Sequence, residues 1–128
     1  MTLADTDVLI DFLAGKGEAD AVERLLGQGV LGTTTITRFE LLCGARTAAQ
    51  LTRITRLLET LPALPLDERA ADAAADIRRT LERLGHPIGM ADSLIAGIAL
   101  ANGLPVLTRN RRHFERAPGL VVIAAEDV

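Results

Sequence analysis

Side chains with carboxylate or amide oxygens recur where this chain is expected to leave a strand. Asp5 follows the first apolar segment, Glu40 and Asp92 lie near the starts of two later helices, and Asn110 follows an apolar segment that ends at Thr108. Oxygen ligands of this kind suit a hard divalent cation such as Mg²⁺, which is usually held by a few carboxylates, waters and a substrate phosphate. An ion held there can polarise a phosphodiester and lower the pKa of a water that attacks phosphorus, so the chemistry needs no nucleophilic side chain.

The elements that must position these residues alternate between short strands and helices. We predict buried strands at 2–5, 30–35, 104–108 and 120–124, an edge strand or extended connector at 61–66, and helices that start near residues 8, 19, 36, 48, 67 and 90 and end near 15, 26, 44, 61, 84 and 101. This alternation predicts an α/β fold, a three-layer α/β/α sandwich with a short, mostly parallel sheet. Ligands collect outside the carboxyl ends of such strands, so the acidic residues are expected to face one cleft.

Composition narrows the class of protein. With 48% hydrophobic and 24% charged residues, the 128 residues fit a single compact domain over 1–128. Cys43, the single cysteine, cannot form an internal disulfide and is expected to be a small core residue on an apolar helix face. The apolar run 94–101 is too short to span a membrane, and the N-terminus lacks a basic export signal, so we expect a cytoplasmic protein without a membrane anchor.

Charge is unevenly distributed along the chain. The net charge of -3 argues against indiscriminate coating of nucleic acid, yet arginines gather within the segment 109–113. That segment either holds a phosphate backbone or forms a solvated surface loop. Asp11 is expected to face outward from the first helix, and Asp72 and Asp76 to form an exposed or ion-paired face with nearby arginines.

Each acid also has a purely structural explanation. Asp5, Thr6 or Asp7 could cap the helix that follows, the segment 37–40 (Thr-Arg-Phe-Glu) matches a capping box, and Asp92 in a first turn would complement the helix dipole. Capping explains each acid alone, but not why acids follow three different strand positions. Carboxylates brought together there would repel one another and raise one another's pKa unless a cation or an arginine compensates.

Four segments resemble motifs of PIN-domain nucleases, in the same order and over nearly the whole chain. They are residues 3–10 (LADTDVLI), which resemble the family's opening Asp-Thr-Asn-Val-Leu motif, 35–44 (TITRFELLCG), 89–96 (GMADSLIA), and 107–110 (LTRN) with His113 and Phe114. Each motif is weak alone, and together they are fairly specific. The chain is most similar to the VapC-type toxins of bacterial toxin–antitoxin pairs.

The resemblance implies an endoribonuclease that hydrolyses the phosphodiester bonds of tRNA, rRNA or mRNA with a metal-activated water. Asp5, Glu40 and Asp92 would bind Mg²⁺ or Mn²⁺, and Asn110 would support the metal or its water. The residues expected to position the substrate are Thr6, Thr108, Arg109 and Arg112. The resemblance also implies an antitoxin partner, whose arginine would enter the acidic pocket as a bidentate ion pair.

Two residues depart from the family pattern. Asp7 stands where many members carry asparagine, and Asn110 stands where others carry aspartate. Asp7 either adds a fourth carboxylate to the pocket or caps the first helix, and the cap is the favoured interpretation because aspartate is a preferred N-cap residue.

Two other functions stay open at this point. Asp5 and Asp7 could be the nucleophile and acid/base of a haloacid-dehalogenase-type phosphatase, although the late lysine of such enzymes is missing because Lys16 is the only lysine. Alternatively, the acids are caps in a non-catalytic binding domain, which predicts no stabilisation by metal. The abundance of apolar helix faces also suggests a homodimer.

Overall fold

A computed structural model describes residues 1–128 and contains one five-stranded sheet. Its strands are β1 (Thr2–Ala4), β2 (Leu31–Thr34), β3 (Ala63–Leu64), β4 (Val106–Thr108) and β5 (Val122–Ala124). The strand order is β3-β2-β1-β4-β5, and every neighbouring pair is parallel. The predicted parallel sheet is confirmed, and the proline-containing segment 61–66 contributes its edge strand β3.

All six predicted helices are present. They are α1 (Thr6–Leu13), α2 (Ala19–Gly27), α3 (Thr35–Gly44), α4 (Ala48–Glu59), α5 (Glu68–Arg83) and α6 (Met90–Ala101). A short helix α7 (Arg111–Phe114) and a 3-10 turn (Ala125–Asp127) were not predicted, because one turn carries no readable periodicity. The first turns of α1, α3, α4 and α5 are capped by side chains that accept a backbone N–H, such as Thr34 at α3 and Asp67 at α5.

Helices cover both faces of the sheet, which confirms the three-layer sandwich. Ala4 and Leu107 lie in one core cluster with apolar residues of α1, α2, α3 and α4. Leu3 and Val106, their neighbours along the same strands, lie in another cluster with residues of α5 and α6. Successive side chains of a strand point to opposite faces, so the two clusters mark the two helical layers.

Helices α5 and α6 approach each other closely at Gly97. A Cβ atom on Gly97 would lie 2.5 Å from the Cβ of Ala74 and 2.6 Å from the carbonyl oxygen of Ala70. The first turn of α6 carries Asp92, so this close packing fixes the position of Asp92 relative to the sheet.

Two predictions about individual side chains have opposite outcomes. Asp72 and Asp76 are exposed on α5, as predicted. Cys43 is also exposed, and its prediction as a core residue is wrong. The buried residues of α3 are Thr37 and Leu41, and Cys43 follows Leu41 by two residues, which turns it about 200° around the helix axis. None of the helices combines the length and the apolar character needed to cross a membrane.

Replacement of Gly97 by alanine is expected to destabilise the protein by about 1–3 kcal/mol, since the added methyl group overpacks the α5–α6 contact. Urea unfolding measures the effect. Gly27→Ala is the matched control, because Gly27 ends α2 and a Cβ there meets no atom within 4 Å. Equal stabilities of the two variants would contradict the close packing.

Candidate active site

Asp5 lies at the carboxyl end of β1, beside the end of β4. Its Oδ2 accepts a hydrogen bond from the hydroxyl of Thr108 at 2.6 Å, and its Oδ1 accepts one from the backbone N–H of Val8 at 3.0 Å. The second bond makes Asp5 the N-cap of α1, so the capping interpretation is correct for this acid. The same carboxylate therefore fixes the start of α1 and joins it to β4.

The carboxyl group of Asp5 is difficult to ionise. The residue is only 3% exposed. Burial raises its pKa to about 6, against the lowering effect of the hydrogen bonds from Thr108 and Val8, and the nearby carboxylates of Asp7 and Asp92 raise it further. Negative charge thus accumulates around Asp5 at neutral pH, and a bound cation would relieve it.

Glu40 reaches from α3 to the first turn of α1. The hydroxyl of Thr6 donates to Oε1 of Glu40 at 2.6 Å and lies 3.1 Å from the hydroxyl oxygen of Thr37, which is buried. The predicted capping box at 37–40 is wrong, because Thr34 is the N-cap of α3 and Glu40 lies in its second turn. Sequence reasoning missed Thr37 as a member of this group, although its spacing of three residues from Glu40 places both on one helix face.

Asp92 lies in the first turn of α6, as predicted. Its Oδ2 is 3.0 Å from Nδ1 of His113, which lies on α7. The N-cap of α6 is Gly89, which has no side chain, so Asp92 does not serve as the cap. Sequence analysis grouped His113 with the arginines and did not predict its pairing with Asp92.

Helix α1 holds the loop that follows β4. Nδ2 of Asn110 donates to Oδ2 of Asp7 at 2.8 Å, and Nη1 of Arg109 donates to both carboxylate oxygens of Asp11, at 3.1 and 3.0 Å. Asp7 does not cap α1, and the Asp11 side chain is only 18% exposed, so both predictions for these residues are wrong. Residues 7 and 11 are about one turn apart, so a single face of α1 contacts two consecutive loop residues.

The predicted metal ligands do not close into a ready-made cage. No three or more His, Cys, Asp or Glu side chains are close enough together to hold a metal ion. Asp5, Glu40 and Asp92 instead have separate hydrogen-bond partners. The donors are carboxylate oxygens, with an amide at Asn110, which suits a hard cation that keeps several of its waters.

Asp5→Asn is expected to gain stability relative to wild type as the pH rises in the metal-free protein, because the amide cannot ionise; it keeps an oxygen for the α1 cap but loses the hydrogen bond from Thr108, a cost that does not depend on pH. The pKa of Asp5 is raised to about 6, so its contribution to stability is complete below the unfolded pKa of 3.8 and is lost as the pH rises through 6. The full loss is about 3 kcal/mol. Urea unfolding in EDTA at about pH 5 and pH 8 measures roughly half of this loss, because the rest has already occurred below pH 5.

The control for this measurement is Asp76→Asn, which removes an exposed carboxylate of α5. The difference in stability between Asp5→Asn and wild type should grow with pH, whereas the difference for the control should stay constant. A stability difference between Asp5→Asn and wild type that stays constant from about pH 5 to pH 8 would contradict the account of this carboxyl group.

Known proteins with similar sequences and structures are nucleases and their complexes. Residues 2–120 match the PIN-domain family. The chain is 35% identical over 123 residues to the tRNA(fMet)-specific endonuclease VapC of Shigella flexneri, and the alignment covers 92% of both chains.

Solved structures of VapBC complexes are similar to this chain as well. The DNA-bound VapBC of Salmonella typhimurium has a TM-score of 0.77 at 30% identity, covering 98% of this chain and 99% of that one. VapBC-5 of Mycobacterium tuberculosis, from a family of toxin–antitoxin systems, has a TM-score of 0.62 at 27% identity, covering 73% and 81%. With its parallel sheet and the acids at its carboxyl edge, the chain belongs to the PIN-domain family, in the group that contains the VapC endonucleases.

Proposed function

We propose that this chain is a metal-dependent endoribonuclease, the toxin of a type II toxin–antitoxin pair, and that it acts in the cytoplasm. The similarity to an endonuclease named for tRNA(fMet) and to toxin–antitoxin complexes supports this function. The observation that carries the proposal is Asp5, a buried carboxylate whose pKa is raised and which lies where a parallel sheet places its ligands.

Asp5, Glu40 and Asp92 are the residues that would hold Mg²⁺ or Mn²⁺, with the amide oxygen of Asn110 in support. An open arrangement is sufficient, because Mg²⁺ is usually bound by one or two carboxylates and completes its shell with water and phosphate. When bound, the ion supplies an activated water and neutralises charge at phosphorus.

Neighbouring side chains fix the orientations of these acids. Thr108 donates to Asp5 and Thr6 donates to Glu40. Both threonines were predicted to orient phosphate or water, and we propose that they do so indirectly, by holding the carboxylates. Arg112 is exposed on α7 and is free to contact the RNA backbone, whereas Arg109 is engaged by Asp11. For both arginines, contact with the substrate stays a prediction.

The two alternatives are less consistent with the site. A haloacid-dehalogenase-type phosphatase would use Asp7 as its acid/base, but Oδ2 of Asp7 accepts a hydrogen bond from Asn110, and the late lysine of such enzymes is missing because Lys16 is the only lysine. A binding domain whose acids only stabilise helix ends would explain Asp92, which complements the dipole in the first turn of α6, but not Glu40, which lies in the second turn of α3.

The partners in this proposal are RNA and an antitoxin protein, whose arginine would compensate the acidic pocket. Large apolar side chains are exposed on four separate elements or loops and are available for contact with a protein: Phe39, Leu84, Met90 and Val121. The homodimer stays a prediction. Gel filtration that gives a strict monomer at micromolar concentration would count against it.

Cleavage of a pool of transfer and ribosomal RNA by the purified protein should require Mg²⁺ or Mn²⁺ and stop in EDTA. Asp5→Asn, Glu40→Gln and Asp92→Asn should each lower the rate by about 100-fold or more while the protein stays folded, because each removes a charged oxygen ligand. Transfer RNA is the first substrate to test, given the Shigella relative.

The matched control for cleavage is again Asp76→Asn, which should keep the wild-type rate. Two results would overturn the proposed function: no cleavage by folded wild-type protein with either metal, or cleavage that continues unchanged in EDTA.

A further inference from the structure

The amide of Asn110 is held in one orientation by Asp7. A carboxylate only accepts hydrogen bonds, so Oδ2 of Asp7 must face the amide nitrogen, and the 2.8 Å contact is indeed to Nδ2. The amide oxygen, Oδ1, is therefore directed away from Asp7. An asparagine at position 7 would accept either atom of the Asn110 amide and would leave this choice open.

The backbone of Asn110 is tied to the centre of the site. Its N–H donates to the hydroxyl oxygen of Thr108 at 2.9 Å, and the same hydroxyl donates to Oδ2 of Asp5 at 2.6 Å. One threonine thus connects the two residues, and Asn110 lies a single hydrogen-bonded side chain away from the buried carboxylate.

The loop that follows β4 is also held at Arg109, the residue before Asn110. Arg109 pairs with Asp11, one turn further along α1 from Asp7. Since α1 starts from the Asp5 cap, the helix that Asp5 initiates also sets the position of Asn110.

Asp7 itself is poorly suited to be a metal ligand. Its Oδ2 accepts the hydrogen bond from Asn110 and lies 4.0 Å from Nη2 of Arg109, so a cation already compensates part of its charge. Its side chain is 41% exposed, unlike the buried Asp5.

We propose that Asp7 is a positioning residue, which orients the amide of Asn110 so that Oδ1 faces the metal pocket, and that most of its effect on metal binding passes through Asn110. This inference rests on the proposed function. The competing explanation is a surface hydrogen bond that stabilises the fold without any effect on metal binding.

The test is a double-mutant cycle read by calorimetric titration with Mn²⁺, with RNA cleavage and metal-free urea unfolding measured alongside. The variants are Asp7→Ala, Asn110→Ala and the double substitution. Asp7→Ala should weaken Mn²⁺ binding by about 10-fold, as is usual when the support of a ligand is lost. The double variant should bind Mn²⁺ at most a few-fold more weakly than Asn110→Ala alone, because Asp7 has nothing left to orient and only its charge is lost.

The exchanged variant Asp7→Asn/Asn110→Asp is the rescue experiment. It places a carboxylate, which has two acceptor oxygens and needs no orienting, at position 110, so Mn²⁺ should bind at least as tightly as to wild type. If Asp7→Ala does not fold, Asp7→Ser takes its place in the cycle. Asp76→Ala, which removes the same charge from α5, should bind Mn²⁺ like wild type.

Two outcomes overturn the inference alone. Fully additive losses in the double variant would mean that Asp7 acts on the metal independently of Asn110, by contact or by its charge. Unchanged Mn²⁺ binding in Asp7→Ala, with a loss of metal-free stability only, would mean that the hydrogen bond is purely structural. If wild-type protein neither binds Mn²⁺ nor cleaves RNA, the proposed function fails, and the inference fails with it.

Discussion

The burial of one ionisable carboxyl group, that of Asp5, is the constraint on which the rest of the site depends. The group is held at the end of β1 by a hydroxyl of β4 and a backbone N–H of α1. These bonds satisfy its oxygens but do not cancel the cost of burial, so its pKa stays raised to about 6. The fold therefore carries an unfavourable charge at neutral pH, which is typical of a site built for a positively charged ligand.

The parallel sheet explains why other acids lie around this group. Strands β1, β2 and β4 end at one edge, and α1 and α3 leave that edge directly. Glu40 enters from α3 and Asp92 from α6, whose position is fixed by the close contact of Gly97 with α5. The carboxylates have hydrogen-bond partners on different elements, which keeps like charges apart until a cation is present.

Much of the fold could be predicted from sequence, because helical periodicity and proline positions are local signals. The places of Asp5 after β1 and Asp92 in the first turn of α6 follow from the same signals, whereas their role as metal ligands stays a prediction. Pairings between distant parts of the chain could not be predicted. Asn110 meets Asp7 across 103 positions, and Arg109 meets Asp11 across 98, so no local pattern reveals them. The N-cap of α3 was misplaced for a different reason: residues 33–35 are all threonine, and only the backbone shows which of them is the cap.

The most direct test of the central claim is the effect of Mn²⁺ on the unfolding temperature of wild type and Asp5→Asn as a function of pH. Metal binds the ionised carboxylate, so the stabilisation of wild type should be large near pH 7.5 and should fade as the pH falls below about 6, the raised pKa of Asp5. Asp5→Asn should show little stabilisation at any pH. Equal stabilisation of the two proteins, or none for wild type at any pH, would contradict the assignment of this buried carboxylate as the centre of a metal site.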